Sequence, residues 1–220
     1  NTNGEIDLTI TGTSSYTIDW DNDGVGDADD SEDLTNLSAN TYSVTVNDLS
    51  TGCVSVLSEV IMEPDPISIG ATVNDVTCNG ANDGEITVFL AGGTGSLTPS
   101  WTTIVPGSGI IANDTSQTAL DQGTYKLIVT DVNSCADSST YTITEPDTIS
   151  ISYTLSQISC SDSINGSIEI TEAGGTGALI PAWNSTNPSF TDLGTVDLFG
   201  LDSGIYNLSL TDDNGCIYDT

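Results

Sequence analysis

Short runs in which apolar and polar residues alternate recur along the chain: "TYSVTVND" (41–48), "EITVFLAG" (85–92) and "TYKLIVTD" (124–131) are three of them. Gly, Asn, Asp and Ser cluster between such runs. A period of two buries one face of an extended segment and leaves the other in water, and no stretch keeps helical spacing over three turns. The pattern predicts an all-β chain of short strands joined by tight turns.

The alternating runs are themselves periodic. Trp20, Trp101 and Trp183 stand 81 and 82 residues apart, and Tyr42, Tyr125 and Tyr206 stand 83 and 81 apart. Glu63-Pro64 returns as Glu145-Pro146. "AGGTG" occupies both 91–95 and 173–177, and "GTYKLIVTDVNSC" ending at Cys135 returns as "GIYNLSLTDDNGC" ending at Cys216. A fixed period of this length marks a tandem array. Three units of about 82 residues are expected, with bounds 1–66, 67–149 and 150–220.

Cysteine spacing follows the same period. Cys78 to Cys135 spans 57 residues and Cys160 to Cys216 spans 56, which predicts two bridges inside repeats, Cys78 with Cys135 and Cys160 with Cys216; buried free thiols are the alternative. Counting back six residues from Gly4, the counterpart of Gly84 and Gly166, puts the partner of Cys53 upstream of Asn1. The chain is therefore expected to be an excerpt of a longer array, with further repeats of the same kind on both sides. Paired cysteines suit an oxidising compartment. A cysteine early in the unit, a Trp about 23 residues later and a second cysteine near the end resemble the immunoglobulin-like sandwich, in which a core Trp packs on an inter-sheet disulfide. The linkers "EVIMEPDPISIG" and "YTITEPDTISIS" carry proline and no Gly/Ser tract, so a stiff end-to-end arrangement is expected.

Charge narrows the partners. The chain carries 32 acidic residues against one basic residue, Lys126, with no Arg and no His, for a net charge of −31. Such a polyanion repels nucleic acid and anionic membranes and attracts divalent cations. No run of eighteen apolar residues is present, so no membrane insertion is expected. Without His there is no Ser/His/Asp or Cys/His set and no ordinary zinc site, and without Arg no bidentate anion clamp. Only a carboxylate pair could do hydrolytic work, and nothing in the repeat singles one out. The expectation is a protein that is not an enzyme.

The motifs carry a family resemblance. "CNGANDGEI" and "CSDSINGSI" (C-x5-G-x-I), then "GGTG", then "TPSW" and "IPAW", then the Tyr-to-Cys segments above, then "ITEP", resemble the SprB repeat of Bacteroidetes cell-surface adhesins. The first repeat departs from it, with "TGTSS" in place of "GGTG". The resemblance implies large extracellular cell-surface proteins, exported by type IX secretion and used in gliding motility and attachment.

The first repeat also carries "DWDNDGVGDADD" after the phase at which the others have "WTTIVPGSG" and "WNSTNPSF". Asp19, Asp21 and Asp23 alternate, Gly24 supplies a sharp turn, Val25 offers a carbonyl, and Asp27 and Asp30 follow. This order matches a calcium loop, because Ca²⁺ takes six to eight hard oxygens from alternate residues of a turning backbone. With Asp in the last position it resembles the loops of thrombospondin type 3 repeats more than an EF-hand. Ca²⁺ is thus the expected cofactor; a solvated acidic turn is the alternative, weakened by the mutual repulsion of six carboxylates.

Other candidates have plainer readings. The tryptophans could stack on glycans, but recurrence at a fixed phase favours core positions. "GGTG" without a following Lys reads as a turn. Asp131, Asp212 and Asp213 lie in hairpin turn segments, with a weak calcium site as the alternative. Asp147-Thr148-Ile149 and Asp162-Ser163-Ile164 resemble a Bacteroidetes O-glycosylation motif, against coincidence. Three functions fit: a stalk or spacer segment of a surface adhesin, a module binding surface polysaccharide or another cell-surface protein, or a filament subunit with lateral self-association.

Overall fold

A computed structural model describes residues 2–21, 30–105, 107–160 and 163–220. The described residues are all-β and contain no helix, so none of them forms a helix long and apolar enough to cross a membrane. The chain divides into two compact units, Asn1–Pro66 and Ile67–Thr220.

In the first unit β1 (Gly4–Ile6) pairs with β3 (Leu34–Leu37), and β2 (Tyr16–Trp20), β4 (Asn40–Asp48) and β5 (Val54–Ile61) form a sheet in the order β2-β4-β5. Ile18, Trp20, Leu37, Tyr42 and Val44 are the core between them.

The second unit holds two sandwiches. One is built from β6 (Ser68–Asn74), β7 (Gly84–Ala91), β8 (Thr98–Val105), β9 (Ser116–Leu120), β10 (Gly123–Thr130) and β11 (Ala136–Ile143), in sheets β6-β7-β9 and β8-β10-β11. The other repeats that order with β12 (Ser150–Ser156), β13 (Gly166–Ala173), β14 (Ile180–Ser185), β15 (Leu198–Leu201), β16 (Tyr206–Thr211) and β17 (Ile217–Asp219), in sheets β12-β13-β15 and β14-β16-β17. Every pairing is antiparallel. Lettered as in immunoglobulin domains, each sandwich has sheets A-B-E and C-F-G, and the first unit is a sandwich with the corresponding B-E (β1, β3) and C-F-G (β2, β4, β5); no strand D is present among the described residues.

Alternation explains why these segments are strands. Along β10 Tyr125, Leu127 and Val129 are buried while Thr124, Lys126 and Ile128 are not, so one face of the pleat, with Trp101 of the neighbouring β8, meets Ile86 and Val88 of the facing sheet. Each Trp lies on strand C of its sandwich, buried, with its indole N–H donating to the crossing loop: Trp20 Nε1 to Ser31 O at 3.0 Å, Trp101 Nε1 to Asp114 O at 2.8 Å, Trp183 Nε1 to Thr195 O at 3.0 Å. The tryptophans are core residues.

Two further repeats of geometry underlie the motifs. Tyr42, Tyr125 and Tyr206 donate their hydroxyls to the carbonyl four residues upstream, Ser38, Asp121 and Asp202; this is the tyrosine corner of immunoglobulin-like domains. The motif glycine opens strand B opposite the end of strand E, in the pairs Gly4↔Leu37, Gly84↔Leu120 and Gly166↔Leu201. A Cβ on Gly84 would stand 2.9 Å from both Leu120 O and Ile143 Cγ2, so only glycine lets the two sheets close there.

The sandwich that begins at β6 has two distinct ends. The N-terminus of β6, the "GGTG" turn and the β10–β11 turn share one, held together by Thr94 N donating to Asp131 Oδ2 at 2.9 Å. The loop after β6 and the C-terminus of β11 share the other, where Val76 N donates to Thr144 O at 3.0 Å and Thr144 N to Asp75 Oδ1 at 2.7 Å.

Candidate functional site

The acidic loop of the first unit lies partly outside the described residues: Asp23, Val25 and Asp27 do, and Asp19, Asp21 and Asp30 do not. Asp19 is in β2, paired with Thr45 between the buried Ile18 and Trp20. Asp21 Oδ1 accepts from Ser43 N at 2.8 Å, and Asp30 Oδ2 accepts from Trp20 N at 2.5 Å. The segment is thereby pinned at both ends to the sheet β2-β4-β5. Asp192 Oδ2 makes the same bond to Trp183 N at 3.0 Å, in a repeat with no acidic cluster, so Asp30 has a structural duty that needs no metal. Among the described residues no three His, Cys, Asp or Glu side chains converge as a metal group.

Asp131 and Asp212 close turns. Asp131 accepts amides of Thr94, Asn133 and Cys135, each at 2.9 Å, and Asp212 accepts those of Thr176, Asn214 and Cys216 at 2.8, 2.9 and 2.8 Å. The Thr94 amide is the largest influence on Asp131 and, with those of Cys135 and Asn133, outweighs burial to lower its pKa. For Asp212 burial alone would raise the pKa, and the amides of Thr176, Cys216, Asn214 and Gly215 together reverse it. These lone pairs are spent on backbone N–H groups, which is the turn reading.

The cysteines contradict the expected pairing. The bridge joins Cys78 to Cys216, 138 residues apart with Cα atoms 5.7 Å apart, while Cys53, Cys135 and Cys160 are free and exposed. Neither Cys78–Cys135 nor Cys160–Cys216 forms. Cys78 lies in the loop after β6 and Cys135 in the β10–β11 turn, at opposite ends of the sandwich. Strands of eight residues separate those ends by roughly 25 Å, against a Cα limit of about 7 Å for a disulfide. In antibody-type domains the cysteines sit on strands B and F; here both have moved into loops.

The same topology brings Cys78 to Cys216. β11 runs to the far end of its sandwich, the linker turns, and β12 enters the next sandwich beside the β16–β17 turn that carries Cys216. Side chains lock this joint. Asn214 Nδ2 donates to Thr77 O at 2.8 Å, Gly80 N to Glu145 Oε2 at 2.8 Å, Asn79 Nδ2 to Pro146 O at 3.0 Å and Thr148 Oγ1 to Asn79 Oδ1 at 2.7 Å. Gln122 Nε2 bonds the other oxygen of Glu145. Gly175 N donates to Asp147 O at 2.8 Å, so the "GGTG" turn receives the linker. Thr148, of the glycosylation-like motif, has its hydroxyl engaged here. Asn79, Glu145 and Asn214 went unread in the sequence; the motif Asn of "TDxNxC" and the Glu of "ITEP" were the signals.

Residues 70–105, from β6 to the end of β8, match the SprB repeat family. No curated protein matches the chain. Among solved structures it is similar to the N-terminal eight Ig domains of Down Syndrome Cell Adhesion Molecule isoform 1.30.30, at 12% identity and a TM-score of 0.45, covering 93% of this chain and 32% of that one. It is also similar to Salmonella alpha-2-macroglobulin reacted with methylamine, at 10% identity and a TM-score of 0.20, covering 99% and 22%. The chain thus spans about a third and about a fifth of these two lengths. The immunoglobulin-like assignment rests on strand order, core Trp and tyrosine corner.

Proposed function

We propose that this chain is a non-catalytic stalk segment of a large repetitive bacterial adhesin, held outside the cell after type IX secretion and serving attachment or gliding. The observation that carries this reading is the joint of the second unit, where one sandwich is bonded covalently and by side chains to the next. Such a joint fixes spacing between domains and presents no reactive group. The SprB repeat at residues 70–105 supports the surface-adhesin class, and a disulfide suits an extracellular location. In this reading Ca²⁺ binds the Asp19–Asp30 loop through Asp19, Asp21, Asp23, Val25, Asp27 and Asp30, and stiffens the first repeat.

A stalk has no ligand of its own. The 220-residue chain, labelled and titrated over bacterial polysaccharides and surface-protein preparations, is expected to show no saturable binding. Saturable binding would overturn the stalk reading in favour of a module that takes surface polysaccharide or protein. The concavity beside β15 in the last sandwich is where that reading would look first, since Leu193 and Phe199, 77% and 66% exposed, line it with Phe190 and Tyr206.

The calcium part has its own test. Millimolar Ca²⁺ is expected to raise the unfolding temperature of the first unit, and the Asp21→Ala/Asp23→Ala variant to lose that rise, because a ligand of the folded state alone stabilises it. Asp21 also holds Ser43 N, so the variant starts less stable. Only the calcium-dependent difference is diagnostic, and its absence in the wild type would make the loop a solvated acidic turn.

A further inference from the structure

Both halves of the inter-sandwich joint occur a second time, unpaired. Asp131 takes the amide of Cys135 and donates its own to Cys135 O at 2.9 Å, as Asp212 does with Cys216 at 3.1 Å. Asn133 stands where Asn214 does. In the last sandwich Ser159 N donates to Asn165 Oδ1 at 3.1 Å and Ser163 N to Cys160 O at 3.1 Å, reproducing Thr77 N to Asp83 Oδ1 at 3.0 Å and Ala81 N to Cys78 O at 2.9 Å. Cys135 and Cys160 are exposed thiols beside these bonds.

We infer that Cys78–Cys216 is one rung of a staggered series, in which the first cysteine of a repeat bonds the second cysteine of the repeat that follows it, and that this series carries tension past the sandwiches. Cys160 and Cys135 are then the open halves of the same bond, each taking the complementary cysteine turn of another repeat of this kind. Closing a rung is a thiol–disulfide exchange with a low-molecular-weight disulfide: two protein thiols give up two protons and two electrons, and the small disulfide leaves as two thiols.

The mechanical consequence follows from connectivity. Tension on the second unit enters at Ile67, runs along β6 to Cys78, crosses the sulfurs to Cys216 and leaves through β17. β6 and β17 are already extended, near the limit a peptide can reach, so they have little length to give. Residues 79–215 form a closed loop off this path, and both cores lie within or against it. Bridges inside each repeat would instead leave the linker in series with two smaller loops, and the joint could open under tension. The chain bears force in this way whatever the stalk attaches to.

Two measurements test it. Stretched by its termini, the oxidised chain is expected to release no length from residues 79–215, and addition of a reductant to release about 480 Å more, for 138 residues at roughly 3.5 Å each. The Cys78→Ser/Cys216→Ser variant should release that length without reductant. Release of it by the oxidised wild type overturns the tension path. For the stagger, a chain in which residues 136–220 are appended in phase after Cys216 is oxidised with glutathione disulfide and mapped by non-reducing peptide mass spectrometry. Links Cys78–Cys216 and Cys160 to the appended copy of Cys216 are expected. A free Cys160, or links Cys78–Cys135 and Cys160–Cys216, overturns the series.

Discussion

Three aspartates at equivalent positions, Asp48, Asp131 and Asp212, close the turn that follows strand F of each sandwich, and all three titrate below the usual carboxylate range. The Ser50 hydroxyl, then its amide, holds Asp48 lowest, at about 2. A carboxyl whose pKa is depressed on folding stabilises above its unfolded value near 3.8 and loses that contribution as pH falls through the folded value. For Asp48 the window therefore runs from about pH 4 down to about pH 2. Acid also discharges the exposed carboxylates and relieves repulsion, which works the other way. In about 0.5 M NaCl that repulsion is screened, so the first unit's stability is expected to fall between about pH 4 and about pH 2, the second unit's to fall as acid protonates Asp131 and Asp212, and Asp131→Asn with Asp212→Asn to flatten that second fall. Urea titrations across that range check it; an unchanged slope in the double variant would place the acid sensitivity elsewhere. Residue roles of this kind were partly legible. "TDVNSC" and "TDDNGC" announce a turn, and a turn Asp commonly caps its own backbone. The bond from Trp20 N to Asp30 was not legible, because it depends on which residue after strand C folds back beside Trp20, and spacing alone does not display that.

At the scale of the strands, alternation and turn residues placed most elements, since a half-buried pleat needs no tertiary information to be read. What they hid was a bulge. Strand E carries a residue with positive φ just before its buried Leu in every sandwich: Asn36 at 59°, Ala119 at 56° and Gly200 at 67°, and the pairing with strand B slips beside it. A left-handed residue inserted into one strand turns it and sets the leucine into the core. Asn and Gly tolerate that conformation, whereas Ala pays about 1 kcal/mol for its Cβ. Ala119→Gly is thus expected to stabilise the second unit slightly, by up to about 0.6 kcal/mol after roughly 0.4–1 kcal/mol for the added freedom of the unfolded chain is subtracted. Denaturant midpoints at constant slope measure this, and a loss of stability would mean that the alanine methyl makes contacts worth more than the strain. Strand ends also explain why the disulfides were misread. Equal spacings of 57 and 56 residues suggested a bond within each repeat, but a spacing is blind to which end of a strand a loop occupies. Only the A-B-E and C-F-G order shows that Cys78 and Cys135 face opposite ways.

For the molecule as a whole, charge sets the conditions under which the fold holds. The solvent-accessible surface is 13024 Å² and the net charge is −31, so each charge has about 420 Å² and neighbours stand about 20 Å apart. The screening length is about 30 Å at 0.01 M salt and about 8 Å at 0.15 M. Between those salt concentrations the mean spacing passes from inside the screening length to outside it. Stability is therefore expected to climb steeply from 0.01 to 0.15 M NaCl and little beyond, in both units. Mg²⁺ and Ca²⁺ should act alike on the second unit, where the turn aspartates already hold backbone amides, and any excess of Ca²⁺ over Mg²⁺ should be confined to the first unit, where the acidic loop lies. Thermal unfolding at matched ionic strength in the three salts separates the effects: an equal response to both divalent ions in the first unit would reduce calcium there to screening. A Ca²⁺ excess that appears in the second unit would move the specific site to the β10–β11 and β16–β17 turns.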